Sequence, residues 1–187
     1  MYRLVCLFLF LVPCHAYGTT VVSLSVDKMS QEADLIVRGI VHSQNTQWND
    51  AKNRIYTITK IEVAETYKGN TKSAKTISIR QIGGEIDGLV QTVAGNAKFA
   101  QGEEVLVFLE SNSRAGIHFV MGMAQGKYSI DRAANPPTIS RTMSSLHRVN
   151  VKKVQPMIHV IKRVDLVRQP TLVSLVGQIR SALVPSR

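Results

Sequence analysis

The sequence predicts a mainly β domain with a short helix near its N-terminus and a helical segment at its C-terminus. Three observations lead there. Short runs rich in β-branched residues recur between positions 21 and 130 of the 187-residue chain, and several end at glycine-containing turns. Residues 25–34 carry helix-compatible side chains behind a serine. Beyond Asn135, Pro136 and Pro137, the apolar spacing becomes helical, at about 3.6 residues.

In chain order, residues 21–24 form a brief first strand, and residues 25–34 one short helix with Ser25 at its front. Residues 35–41 read as a buried strand in which Gly39 marks a bend or bulge. Residues 45–53 are polar and read as a loop holding Trp48, the only tryptophan. Residues 55–67 form a long strand, and its imperfect Thr/Ile alternation suits a curling strand that changes the face it buries. Residues 76–82 alternate cleanly until Gly83 and Gly84 interrupt them. Residues 83–102 are dotted with glycine and read as mostly loop, with a short strand near 90–93. Residues 105–109 are the most apolar strand, and residues 117–121 and 127–130 form a hairpin across Ala124, Gln125 and Gly126.

Pro136 and Pro137 mark a domain edge, because proline fixes φ and removes a donor. Two helical stripes follow. The first runs from Met157 to Val167; the second joins Leu172, Leu175, Val176, Ile179 and Leu183, with Thr171 as its cap. Such stripes pack on a barrel, although the basic flanks of the first also fit a helix lying on a membrane.

Residues 1–16 read as an export signal. Arg3 supplies charge, residues 4–12 are an unbroken apolar run, and Pro13 ends it. Cys14 and Ala16 are the small residues that a signal peptidase inspects, so the mature chain would begin at Tyr17. This run is far shorter than the roughly 20 residues that span a bilayer, and no later run is longer, so no transmembrane helix is expected in the mature chain. Leu11 to Cys14 also resembles a lipoprotein attachment box, apart from the proline before the cysteine; lipid anchoring at Cys14 is the alternative. Export places the protein in the periplasm or outside the cell. Cleavage would remove both cysteines, and with them any disulfide or thiolate metal site. Three parts result: the signal at 1–16, a β domain at 17–135, and a C-terminal segment at 136–187 with one or two amphipathic helices.

The formal net charge of +10 is unevenly placed. Residues 17–131 hold twelve Lys and Arg against twelve Asp and Glu, whereas residues 132–187 hold ten basic residues against Asp165 alone. The basic appendage points to an anionic surface as a partner of residues 136–187, and the neutral body argues against nucleic acid.

Four stretches together have a familiar order: residues 33–41, residues 56–63, the Tyr67-Lys68-Gly69 ending, and residues 102–109 with Gly102 leading and Phe108 near the close. This order resembles a family of exported, uncharacterised bacterial proteins. More distantly, it is similar to the netrin-like modules of tissue inhibitors of metalloproteinases. Over residues 20–131 the resemblance implies an OB-like (netrin-like) small β-barrel of about five strands, a fold that hosts many activities. Those inhibitors act through an N-terminal cysteine. Tyr17 would stand there here, so that mechanism does not carry over.

No side chains in the sequence form a catalytic set. His42, His118, His147 and His159 share no short ligand spacing, so no metal site or cofactor is expected. Gly122 to Lys127 is one residue short of a phosphate loop, and Tyr128 stands where Ser or Thr would bind Mg²⁺. Glu85 and Asp87 are paired carboxylates on a glycine loop, able in principle to hold a cation or to act as acid and base. Trp48 and Tyr56 are aromatics close to the face that OB barrels use for ligands. The expectation is an exported, non-enzymatic binding module, with loops 45–53 and 83–102 meeting an unknown protein or envelope component. The alternatives are an envelope-surface role for residues 136–187 and a hydrolase built on Glu85 and Asp87.

Overall fold

A computed structural model describes residues 20–71, 74–112, 116–142, 147–149 and 170–184. The signal, with Cys14, Ala16 and Tyr17, lies outside the described residues, as does the first helical stripe. The elements are β1 (Thr20–Val22), α1 (Val26–Glu32), β2 (Leu35–Trp48), β3 (Ile55–Lys68), β4 (Thr76–Ile82), β5 (Gly84–Ile86) and β6 (Leu89–Gln91). They continue with β7 (Glu104–Asn112), β8 (Ile117–Val120), β9 (Lys127–Asp131), β10 (Thr138–Ser140), β11 (His147–Val149) and α2 (Leu172–Leu183).

Five strands close a ring in the order β7-β2-β3-β4-β8 and back to β7. Every neighbour in it is antiparallel except β4 and β8, which meet in parallel at Ile79 and His118. This is the OB-like barrel expected from the sequence, with its short N-terminal helix and its C-terminal helix. Closure requires strands that bend. β2 and β3 shift register at three points, one of them between Arg38 and Gly39. A Cβ at Gly39 would lie 2.2 Å from the carbonyl oxygen of Glu62, so only glycine lets the two backbones approach there.

Strand alternation sorts the apolar residues into two cores. Val37, Val41, Ile61, Ile77, Ile79, Val105, Val107 and Leu109 fill the barrel. On the outside of the same strands, Ile36, Leu106 and Phe108 join Tyr128, Ile130 and Ile139 beneath Met29 of α1 and Leu175 and Ile179 of α2. Both helices are capped by the side chains that the sequence offers: Ser25 Oγ accepts from the Lys28 N–H and Thr171 Oγ1 from the Ser174 N–H, each at 3.2 Å. The chain beyond the prolines therefore shares this outer core, and β10 extends the main sheet by pairing with β9. No described helix is long and apolar enough to cross a membrane.

Three local expectations need correction. Residues 45–48 are not loop: β2 runs on to Trp48, because backbone pairing with β3 holds a polar strand that propensity alone would not. The segments 117–120 and 127–131 are strands but form no hairpin with each other. Each pairs with β7, β9 along Val105–Val107 and β8 along Leu109–Asn112, and one 3-10 turn (Met123–Gly126) carries the chain between them. The short strand expected near 90–93 is present, but its bounds shift to Leu89–Gln91, where it pairs with β5 in a hairpin.

Candidate functional site

β2 and β3 are longer than the ring needs, and their far ends, with the end of β4, form a curled sheet at one mouth of the barrel. Apolar interior positions give way there to polar ones. Thr46, Thr57 and Gln81 continue the inward-facing series begun by Val41, Ile61 and Ile79. The β5–β6 hairpin roofs this face. Thr46 Oγ1 donates to the Glu85 carbonyl at 2.7 Å, and Thr57 Oγ1 to the Gly83 carbonyl at 2.7 Å. Gly84 lies so close that an added Cβ would stand 2.6 Å from both Thr46 Cγ2 and Thr57 Oγ1, and its φ of +137° suits glycine alone.

Residues 92–99 complete the roof without forming a strand. Side-chain amides hold them instead of a ladder. Gln44 Nε2 donates to the Phe99 carbonyl at 3.0 Å, Gln81 Nε2 to the Ala97 carbonyl at 3.1 Å, and Asn96 Nδ2 to the Ile82 carbonyl at 2.6 Å. Between roof and sheet runs an open groove of about 530 Å³, lined by Gln44, Thr57, Gln81, Gln91, Asn96 and Phe99 among others. Glu85 and Lys98 are its charged lining residues.

Two of the residues singled out from the sequence meet here. Trp48 Nε1 donates to Asp87 Oδ2 at 3.3 Å, joining the end of β2 to the hairpin turn. Asp87 sits at φ +52° in that turn, and of the two acids only Glu85 lines the groove. Tyr56 faces the other way. On the outer side of β3 its ring lies 4.9 Å from the guanidinium carbon of Arg80, and the Phe119 ring, from β8, lies 5.4 Å from the same atom. At partly desolvated sites such contacts contribute about 0.5–2 kcal/mol each. This trio lines a second groove of about 390 Å³, which shares Gln81, Ile82, Val93 and Asn96 with the first.

Three polar clusters escaped the sequence because their members lie on different strands. Arg38 donates to Glu104 Oε1 at 2.6 Å and to Glu65 Oε2 at 3.2 Å, Arg132 grips Glu104 with two bonds of 2.6 Å, and Tyr67 donates to Glu65 at 2.8 Å. The Arg132 hydrogen bonds, aided by Arg38 and only partly opposed by burial, hold the Glu104 carboxyl below the ordinary carboxylate range. In the second cluster, buried Lys127 contacts Glu103 and donates to Ser129 Oγ at 2.7 Å. Burial works to raise the Glu103 pKa, but the bonds from Lys127 and Ser129 outweigh it and the net shift is downward.

The third cluster comes nearest to nucleophile chemistry. Ser111 Oγ lies 2.9 Å from His118 Nδ1, and burial lowers the His118 pKa against the opposing charge of Asp34. A neutral imidazole there can accept from the serine. The Asp34 carboxylate, however, accepts from the Ser111 backbone N–H at 2.8 Å instead of orienting the ring. Among the described residues, no three His, Cys, Asp or Glu side chains converge as a metal site. No protein-family model matches the chain, and no curated protein matches it.

Proposed function

We propose that the protein is an exported, non-enzymatic binding module whose ligand lies in the groove at the barrel mouth. The observation that carries this reading is the groove's construction. A sheet forms its floor, and the strandless part of its roof, residues 92–99, is pinned to that floor by Gln44, Gln81 and Asn96. Rigid floors with loop-built walls are where binding residues collect. The lining sets the amides and hydroxyls of Gln44, Thr57, Gln81, Gln91, Thr92 and Asn96 among a larger apolar share from Ile82, Val90, Val93 and Phe99, which suits an uncharged, amphipathic ligand that offers a few hydrogen-bonding groups. Loop 83–102 supplies most of the wall, while Trp48, at the end of β2, holds the hairpin through Asp87. The kinship with netrin-like barrels is part of the same proposal, supported by the parallel closing pair β4–β8.

The test is capture from native envelope material by the purified protein, compared with Thr92→Trp, which places a large ring at an exposed groove-lining position. One component should be retained by the native protein and lost by the variant. Chemical turnover of a captured substrate, abolished by Glu85→Ala, would overturn the reading in favour of the hydrolase.

The envelope-surface reading rests on the ten-to-one charge ratio of residues 132–187. Truncation would not test it cleanly, since Leu175 and Ile179 belong to the core. Replacing Lys152, Lys153, Lys162 and Arg163 by glutamine should abolish binding to anionic vesicles if that reading holds; unchanged binding removes it.

A further inference from the structure

We infer that Arg80, held between Tyr56 and Phe119 on the outer face of the barrel, is a binding site for an oxyanion, a carboxylate or a phosphate. Its strand, β4, lies between the strands that supply the two rings, β3 and β8, so one aromatic comes from each side. Ring faces attract the guanidinium plane but take none of its N–H groups. Unlike Arg80, Arg38, Arg132 and Arg180 share the carboxylates of Glu65 and Glu104. Arg80 forms no ion pair among the described residues, and its buried Nε has no hydrogen-bond partner there.

A half-buried cation without an anion is costly to hold unless something else satisfies it. The arrangement makes sense as a preorganised fork. Two aromatic rings fix the guanidinium in place, and a groove of about 390 Å³ lies in front of it, with Gln81 and Asn96 in its wall. A guanidinium fork matches the paired oxygens of a carboxylate or phosphate, where a lysine ammonium offers only a point charge. The site stands apart from the mouth groove in what it requires, since it is read at Arg80 and needs no ligand on the inner face.

The experiment is an NMR titration of the purified protein with inorganic phosphate and, separately, with acetate, at constant ionic strength maintained by chloride. Saturable shifts of the Tyr56 and Phe119 ring signals and of the Arg80 Nε–H are expected with at least one of the two oxyanions, and which one responds identifies the preferred group. Arg80→Lys keeps the charge but should weaken binding about tenfold or more, in keeping with the loss of the fork. Lys60→Gln, which removes an exposed cation from β3, the strand of Tyr56, should leave binding unchanged. The inference is overturned if neither oxyanion shifts these signals beyond the chloride control. It is equally overturned if Arg80→Lys binds as well as the native protein, or if Lys60→Gln weakens binding as much as Arg80→Lys does.

Discussion

The Trp48 indole donates to the Asp87 carboxylate across 3.3 Å, tying the last residue of β2 to the turn of the β5–β6 hairpin. The bond joins two segments 39 residues apart and fixes one edge of the roof over the mouth groove. Asp87→Asn should weaken the contact while keeping its shape. We expect a loss of about 0.5–1.5 kcal/mol in stability and a changed Trp48 emission, with faster amide exchange confined to residues 84–91. Global exchange at the same rate would mean the hairpin is not a separate unit.

Leu175 and Ile179 enter the core shared with α1, Phe108 and Ile139, and both are almost fully buried. Ile179→Ala should cost about 2–5 kcal/mol, measured by denaturant unfolding. Arg180→Ala, one residue on and 70% exposed beside Glu65, should cost no more than about 1 kcal/mol. Equal effects would contradict the packing of α2 on the barrel.

Buried Gln125 uses both ends of its amide: its Oε1 accepts from the Leu24 N–H at 2.8 Å, and its Nε2 donates to the Val22 carbonyl at 2.9 Å. Gln125→Leu keeps the bulk and orphans both backbone groups. Thermal unfolding should show a loss of about 2–4 kcal/mol, at the upper end for two unsatisfied groups. A neutral effect would show that the segment entering α1 is held by its apolar contacts alone.

Acid should loosen the Arg38 cluster. The folded pKa of Glu104 is depressed below the ordinary glutamate value of 4.5, so its contribution is complete above that value and lost as pH falls through the folded pKa. Glu104→Gln should therefore be less stable than the native protein at pH 7, with the gap closing as pH falls below about 4.5. A gap that persists unchanged into strong acid would assign the loss to shape instead of charge.

The barrel was legible because its signals are local. Gly39 announces a bulge, the alternation of Thr76–Ile82 announces a strand with one buried face, and Ser25 announces a helix start. What was not legible depends on pairing. Residues 45–48 are polar enough to be loop, yet become strand because β3 lies alongside. The 117–131 stretch has the pattern of a hairpin, but β7 offers one edge long enough for both strands, and each takes half. The candidate site follows the same rule. Trp48, Tyr56, Glu85 and Asp87 stood out by residue type, whereas Arg80 and Phe119 were ordinary members of two strands until the ring placed them side by side. Ser111 and His118 likewise meet only through the β7–β8 register.

The most direct measurement is a side-chain amide NMR map of the mouth groove in the presence of envelope-derived glycans and peptides. The binding account predicts saturable shifts at the Gln44, Gln81 and Asn96 amides, with the ligand recovered chemically unchanged. Shifts confined to Ser111 and His118, or to the Glu85 carboxylate, together with an altered ligand would contradict it.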